Sequence, residues 1–272
     1  MADRNQTTEF GLKYIWATQE GMMVMKPHSD FIERHVQDGK IDPFASDGTV
    51  QKWPLGTELW YADRRFRYAK AGGTALVTGK LYQSVVPLAG HIDEVVGEPA
   101  AGDTTIAFTP NTVTTDDLAA NQLADGYLYI NDDTGEGYMY RIKSHPAILG
   151  GASGTITLYD PIVVTLGSGA TATVLHNPYR GIIVHPSPAT AKLAGVAVYP
   201  VPANEFGWIQ YRGPCAVLTG GTIVISDVVV PSTATDGAVM ASAAIETDGP
   251  VIGEVMAVNA DTEHSAIYLA MP

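Results

Sequence analysis

Short runs of β-branched and aromatic residues recur along most of the chain, with glycine, proline, aspartate or asparagine between them. In Tyr138–Ile142, odd and even positions would face opposite sides of a sheet. This spacing predicts strands at Thr74–Val77, Leu81–Val86, Thr105–Phe108, Tyr127–Ile130, Gly137–Ile142, Thr155–Leu158, Ile162–Val164, Thr173–Leu175, Ile182–His185, Gly195–Tyr199, Trp208–Tyr211, Cys215–Leu218, Thr222–Ile225, Ala238–Ala241, Val251–Val258 and Ser265–Leu269.

Helical patterns are limited to two short segments. Ser29–Val36 begins with a capping serine or aspartate and is followed by Gly39, which favours a helix end. Thr115–Ala124 carries aspartates in its first turn, where the helix dipole favours them, and Gly126 follows. Many short strands separated by turn residues, with few short helices, predict an all-β sandwich or barrel.

Composition divides the chain into three regions. Residues 1–55 show little regular alternation and predict an extended N-terminal arm that contains the first helix. Residues 56–89 and 191–272 have similar strand-rich compositions, whereas residues 90–190 contain hairpins rich in aspartate, threonine and glycine. We therefore expect a β core domain built from 56–89 and 191–272, with 90–190 as an inserted β domain.

Charge and hydropathy exclude several classes of function. The 16 basic and 29 acidic residues give a net charge of −13, which opposes binding to a nucleic-acid backbone. No apolar run approaches the roughly 18 residues that a membrane-spanning helix needs. The first ten residues lack the apolar core of a signal peptide, and one free cysteine suits a reducing compartment. These features predict a soluble protein made in the cytoplasm.

No group of residues has the spacing of a catalytic, cofactor or metal site. Cys215 opens an apolar strand, where a thiol acts as a small buried hydrophobe rather than a nucleophile. The histidines lack the paired spacing of metal ligands. The acidic segment Asn131–Gly137 lacks the alternating ligands and distant glutamate of a calcium loop, so we interpret it as a hairpin turn. We expect no catalytic residue, no cofactor and no metal.

The one basic patch is Arg64–Lys70, in which Arg64, Arg65 and Arg67 alternate with aromatic residues. Such a patch is consistent with docking onto an acidic protein surface or an acidic neighbouring subunit. It is also consistent with a solvated strand edge, where basic residues oppose aggregation. Contact with nucleic acid is a third interpretation, which the net charge disfavours.

Three stretches resemble virion proteins of tailed bacteriophages. Pro54–Gly72 contains a Gly-Thr pair followed by Arg-x-Phe-Arg-Tyr-Ala and a glycine, and Ala75–Gln83 follows with a Gly-Lys-Leu-Tyr-Gln ending. Phe206–Pro214 is similar to the Gly-Trp-x-Gln strand of phage head-associated proteins. Together the stretches cover 37 of the 272 residues and are most like capsid decoration, or cement, proteins.

The resemblance implies a non-enzymatic structural protein with a β-tulip-like core, which stabilises the outer surface of a tailed-phage capsid. Its implied partners are the major capsid protein and two further copies of itself in a homotrimer, with no nucleic acid and no membrane. An acidic chain suits the outside of a shell, away from packaged DNA. We expect capsid or subunit contacts from aromatic and basic residues of the arm and the patch: Tyr14, Trp16, Phe31, Trp53, Arg64, Arg65 and Arg67.

Two alternatives stay open at this point. The first is another virion component, such as a head or tail fibre component or an adhesin that binds host surface carbohydrate on the tyrosine-rich hairpins at 127–140. A β-sandwich hydrolase with a pair of acids is the other alternative, because 29 acidic residues leave room for such a pair anywhere.

Overall fold

The computed structural model describes residues 41–111, 114–243 and 249–272. Within them the regular elements are strands, apart from short 3-10 helices at Ala89–His91 and Thr114–Asp116. The strands are β1 (Glu58–Tyr61), β2 (Arg64–Lys70), β3 (Leu81–Gln83), β4 (Glu94–Val95), β5 (Thr105–Phe108), β6 (Tyr127–Asp132), β7 (Met139–Ser144), β8 (Gly154–Leu158), β9 (Thr171–Leu175), β10 (Ile183–Val184), β11 (Leu193–Ala197), β12 (Phe206–Leu218), β13 (Val228–Pro231), β14 (Val239–Ala241), β15 (Gly253–Ala257) and β16 (His264–Ala270).

The strands form two curled antiparallel sheets, each shaped like half a barrel. The large sheet has ten strands in the order β10-β3-β11-β12-β16-β15-β13-β14, with β2 beside β12 and β1 beside β2. The small sheet has six strands in the order β4-β9-β6-β7-β8-β5. The predicted all-β class is confirmed. The helix predicted at Ser29–Val36 and residues 1–40 of the predicted arm lie outside the described residues.

The two sheets differ in how the chain builds them. The strands of the small sheet follow one another without interruption between β4 and β9. The large sheet takes β1–β3 from before that stretch and β10–β16 from after it. The division of the chain into a core domain and an inserted domain stays a prediction, which unfolding experiments on variants of each sheet can test.

Strand β12 organises the large sheet because it pairs with different strands along its length. Its first half pairs with β2, from Phe206 opposite Lys70, and its second half pairs with β16. The register shifts between Gln210 and Arg212, where β2 gives way to β16. At this junction Gly213 has a φ of +87°, and a Cβ there would lie 2.4 Å from the carbonyl oxygen of Asp63. Glycine is therefore required where the two neighbouring strands meet.

The predicted break of this segment into two strands, Trp208–Tyr211 and Cys215–Leu218, is wrong. Gly213 and Pro214 are turn formers in isolation, but both lie within the continuous strand β12. Pro214 is opposite Tyr268 and Gly213 is opposite Leu269 in the pairing with β16. Pairing with β16 overrides the local preference of these two residues.

The helix predicted over Thr115–Ala124 is also wrong. Only the 3-10 turn Thr114–Asp116 forms, and the chain then becomes extended. Leu118 donates to the carbonyl of Ile148 at 2.8 Å and accepts from its amide at 2.9 Å, which makes an isolated antiparallel bridge. Asn121 has a φ of 58°, in the left-handed region that no α-helix contains. Burial of Leu118 beside Ile148 outweighs the local helix signals.

Three other predicted strands are loops in the structure: Thr74–Val77, Ile162–Val164 and Thr222–Ile225. Each loop buries a single apolar side chain: Leu76, Ile162 and Ile223. The valines beside them are more than half exposed: Val77, Val163 and Val224. Burial of one side chain anchors each loop, and Leu76 also makes an isolated antiparallel bridge to Val201. Conversely, the pattern does not predict β13, whose run Val228–Pro231 ends in proline.

Candidate functional site

The stretches that resemble phage proteins lie together in the large sheet. Pro54–Gly72 contains β1 and β2, Ala75–Gln83 contains β3, and Phe206–Pro214 begins β12. Strand β2 pairs directly with β12, and β3 pairs with β11, which in turn pairs with β12. Segments about 140 residues apart in sequence therefore form one continuous part of the fold.

An aromatic cluster forms where β2 meets β12. The rings of Tyr68 and Phe206 stack with centroids 5.8 Å apart, and Trp208 packs edge-on against Tyr68 at 5.0 Å. The described part of the predicted arm covers this cluster, since the amide of Phe206 donates to the carbonyl of Gly48 at 2.9 Å. Trp53, one of the predicted contact residues, packs against the same cluster. Burial raises the pKa of Tyr68 well above its ordinary value.

Two of the three predicted arginines are engaged within the protein. Arg64 donates twice to Oε1 of Gln210, at 2.8 and 2.6 Å, and its guanidinium lies 5.2 Å from the ring of Phe66. Arg67 donates to the carbonyl of Gly56 at 3.1 Å and lies 4.8 Å from the Tyr211 ring. The basic run is therefore largely part of the packing of β2.

The third arginine lies at the rim of the sheet. The guanidinium of Arg65 lies 4.1 Å from the ring of Trp60, which is 39% exposed. Arg65 is itself half-buried and also hydrogen-bonds to Tyr211, so the exposed part of this cation–π pair is the Trp60 ring. Tyr14, Trp16 and Phe31, the remaining predicted contact residues, lie outside the described residues.

An apolar surface, which we call the outer face, lies on β12 and β16. Tyr211, Cys215 and Val217 of β12 point into the core, as do Ser265, Ile267 and Leu269 of β16. The alternating positions point outward: Pro214, Ala216, Leu218, Ala266, Tyr268 and Ala270. Arg212, Glu254 and His264 lie at its margins and are exposed. Tyr268, 41% exposed, lies between Pro214 on one side and Glu254 on the other.

A polar cleft, the second surface feature, lies between segment 51–54 and the small sheet. It has a volume of about 330 Å³ and is lined by Gln51, Lys52, Trp53, Pro54, Asp125, Arg141 and Tyr159. The Asp125 carboxylate accepts from Arg141 at 2.7 Å and, more weakly, from the Tyr159 hydroxyl at 3.4 Å. Its second oxygen lies 3.4 Å from Nε2 of Gln51. These residues come from separate segments, and no local motif in the sequence connects them.

The tyrosine-rich hairpin offers little exposed aromatic surface. Tyr140 is 2% exposed, and Tyr127 and Tyr129 are half-buried. Tyr138 is 40% exposed, and its ring stacks on Tyr140 with centroids 6.5 Å apart. The predicted turn Asn131–Gly137 does connect β6 to β7, but Asn131 and Asp132 still belong to β6; the turn itself has Asp133 and two glycines at positive φ.

The reactive side chains that the structure describes are used in packing. Cys215 is buried as predicted, and burial raises the pKa of its thiol to about 12, which keeps it protonated. His145 accepts the amide of Leu123 at Nε2 and contacts the Pro146 carbonyl at Nδ1. Burial, together with the nearby His91 and Arg180, lowers the pKa of His176 to about 4.

Across residues 41–111, 114–243 and 249–272, no group of three or more histidine, cysteine or acidic side chains is arranged to hold a metal ion. In the same residues, no helix is long and apolar enough to cross a membrane. Comparison with protein-family models, with curated proteins and with solved structures found no match.

Proposed function

We propose that this chain is a non-enzymatic virion protein that decorates and stabilises the outer surface of a tailed-phage capsid as a homotrimer. One observation carries the proposal: Phe206–Pro214 is more than 120 residues from the other two stretches in sequence, yet all three lie in one sheet around β12. A likeness that follows a continuous piece of architecture is stronger support than three unrelated matches would be.

The outer face supports association between copies of this chain. It exposes Tyr268 and five smaller apolar side chains on paired strands, and exposed apolar patches of this kind typically mark protein contacts. Its marginal charges, Arg212 and Glu254, are opposite in sign. A second copy approaching this face therefore meets little repulsion, although the chain as a whole carries −13. We assign the trimer contact to this face.

The rest of the acidic surface suits the exterior of a shell, where it faces solvent and not packaged DNA. The Arg65–Trp60 pair at the rim of the large sheet, in which Trp60 is exposed and Arg65 is half-buried, supplies a basic and aromatic contact for the major capsid protein. Aromatic and arginine side chains are enriched at protein interfaces. The hairpin at 127–140 gives weaker support to the fibre or adhesin alternative, because Tyr138 is its one well-exposed ring.

The first test is the mass of the purified protein in solution, measured by light scattering. A homotrimer has about three times the 28.8 kDa of the chain. The second test adds the protein to expanded capsids assembled from the major capsid protein of the same viral genome. We expect saturable binding and a raised capsid melting temperature. Absence of binding to such capsids at micromolar concentration would reject the proposal.

A pair of variants locates the trimer contact. Tyr268→Lys places a charge in the outer face, whereas Tyr199→Lys places one at a tyrosine that is equally exposed, 40% against 41%, but lies elsewhere. We expect Tyr268→Lys to shift the trimer towards monomer, or to abolish capsid binding if trimers form only on the shell. The same result for both variants would show that the outer face has no special role.

A further inference from the structure

The polar cleft carries an inference that is independent of the capsid role. We propose that it binds a neutral saccharide, with Asp125 and Arg141 holding ring hydroxyls and with Trp53 and Tyr159 packing against the sugar. The contact proposed between subunits lies on β12 and β16, whereas this cleft lies at segment 51–54 and the small sheet. The two surfaces share no residue.

The position of Asp125 is fixed by its backbone. Its φ of 64° is in the left-handed region, its amide donates to the Ile142 carbonyl at 2.9 Å, and its carbonyl accepts from Nδ2 of Asn177 at 3.0 Å. The side chain therefore leaves a rigid point of the small sheet and enters the cleft in a defined direction. A binding group held in this way loses little conformational entropy when a ligand arrives.

The side chains of Asp125 and Arg141 have hydrogen-bonding positions that no protein group uses within the described residues. A carboxylate has about four acceptor positions and a guanidinium has five donor hydrogens. Within the described residues, Arg141 makes one close bond to Asp125, and the contacts from Tyr159 and Gln51 are long, at 3.4 Å. Ligand hydroxyl groups, which both donate and accept, can bond to the free positions of Asp125 and Arg141 without breaking their 2.7 Å ion pair.

Aromatic and apolar surface flanks the polar pair. Tyr159 is 48% exposed although its ring lies 4.8 Å from the Arg141 guanidinium, so the ring is held in place while part of it faces the cleft. Trp53 and Pro54 form the opposite side from segment 51–54. A sugar ring presents C–H groups on its faces and hydroxyls at its edge. The cleft offers apolar rings and a polar pair in a matching arrangement.

The ion pairs in and beside the cleft favour a neutral saccharide over a charged one. Arg141 is paired with Asp125, and Lys52 is paired with Asp47 at 2.7 Å, so the two cations of the lining are neutralised within the protein. A phosphate, a sulfated sugar or a cation gains no net attraction here. The volume of about 330 Å³ lies at the lower end of the roughly 300–1,000 Å³ typical of small-molecule sites. A single sugar unit or the end of a short chain suits such a cleft.

The test uses the full chain and two sets of probes. An array of bacterial O-antigen polysaccharides is screened first, and methyl glycosides of glucose, galactose, mannose, rhamnose and N-acetylglucosamine are then titrated to 100 mM. The indole resonance of Trp53, assigned with Trp53→Phe, reports binding by NMR. We expect a saturable shift with at least one neutral glycan. No saturable shift with any of these probes would overturn the proposal.

Variants show whether binding occurs in the cleft. Asp125→Asn keeps the shape and tolerates the left-handed backbone, and Tyr159→Ala removes the exposed ring. We expect each to weaken binding at least tenfold. Tyr138→Ala is the matched control, because Tyr138 is 40% exposed on the other hairpin. Binding that survives Asp125→Asn and Tyr159→Ala, or that Tyr138→Ala abolishes, would place the sugar elsewhere and reject the cleft. The results of the glycan experiments do not depend on the mass of the oligomer. The saccharide proposal and the capsid proposal can therefore be rejected independently of each other.

Discussion

The small sheet closes around one apolar core cluster and leaves Val95 and Met139 exposed, whereas the large sheet has three core clusters and a contiguous apolar outer face on two paired strands. The small sheet comes from one continuous stretch of chain and closes around a single cluster that includes Phe108, Leu128 and Ile142. The large sheet distributes its buried residues over three clusters, and the outer face on β12 and β16 stays exposed. A surface that stays apolar after folding is available for association.

The two sheets have different roles in the proposed function. The large sheet contains strand β12 and the outer face, so under the proposed function it serves assembly. The small sheet holds Asp125, Arg141 and Tyr159 in place, so it is the scaffold of the cleft. The predictions below test whether the sheets also behave as separate units when the protein unfolds.

The largest expected effect comes from truncating one buried phenylalanine in each sheet. Phe66 and Phe108 are both fully buried, in the large and the small sheet respectively. Phe66→Ala and Phe108→Ala should each cost about 3–5 kcal/mol of unfolding free energy, because each leaves a cavity. We expect calorimetry to show two transitions, with each variant lowering only its own. A single transition shifted equally by both variants would reject the predicted division into two domains.

Acid should destabilise the small sheet selectively. Burial, with His91 and Arg180 nearby, lowers the pKa of His176 from its ordinary 6.5 to about 4. Protonation therefore favours the unfolded state: stability is full above pH 6.5, falls as the pH drops, and reaches its lower limit near pH 4. The loss is at most about 3 kcal/mol.

Urea unfolding at pH 7 and pH 4.5 measures this acid effect. His176→Gln should flatten the pH dependence of the small-sheet transition. His264→Gln, at an exposed histidine of β16, is the control and should leave it unchanged. An equal acid dependence in wild type and His176→Gln would show that His176 is not the responsible group.

A smaller effect is expected at the junction of β2 and β16. Gly213→Ala places a Cβ 2.4 Å from the Asp63 carbonyl oxygen at a φ of +87°. Gly221→Ala has a similar φ of +94° with no atom within 4 Å, so it measures backbone strain alone. We expect chemical denaturation to show a loss of unfolding free energy of about 1 kcal/mol for Gly221→Ala and about 2–3 kcal/mol for Gly213→Ala. Equal losses would show that the close approach to Asp63 relaxes without cost.

The smallest expected losses of stability come from variants of the basic patch. They distinguish internal packing by Arg64 from a contact to the capsid by Arg65. Arg64→Ala leaves the buried Gln210 carbonyl without its donor and should cost about 1–2 kcal/mol of stability. Arg65→Ala removes a cation–π contact at the rim and should cost less than about 1 kcal/mol. If Arg65 contacts the capsid, Arg65→Ala should weaken capsid binding while the melting temperature hardly changes. A stability loss for Arg65→Ala larger than that for Arg64→Ala would reverse this assignment.

The all-β class and several local features follow from short-range patterns in the sequence. Thr105–Phe108 is predicted with its observed bounds, Asn131–Gly137 is predicted as a turn, and Cys215 is predicted to be buried. Each of these has a local cause: alternation over four residues, turn-forming aspartate and glycine, or an apolar run around a thiol.

The tertiary structure alone decided the features that depend on distant neighbours. Strand β12 is continuous through Gly213 and Pro214 because β16 pairs with it, and Leu118 is extended because Ile148 pairs with it. The cleft brings Gln51, Asp125 and Tyr159 together from separate parts of the chain. Pattern within a short window reports the local preference of the backbone, whereas long-range pairing and burial contribute several kcal/mol more and override it.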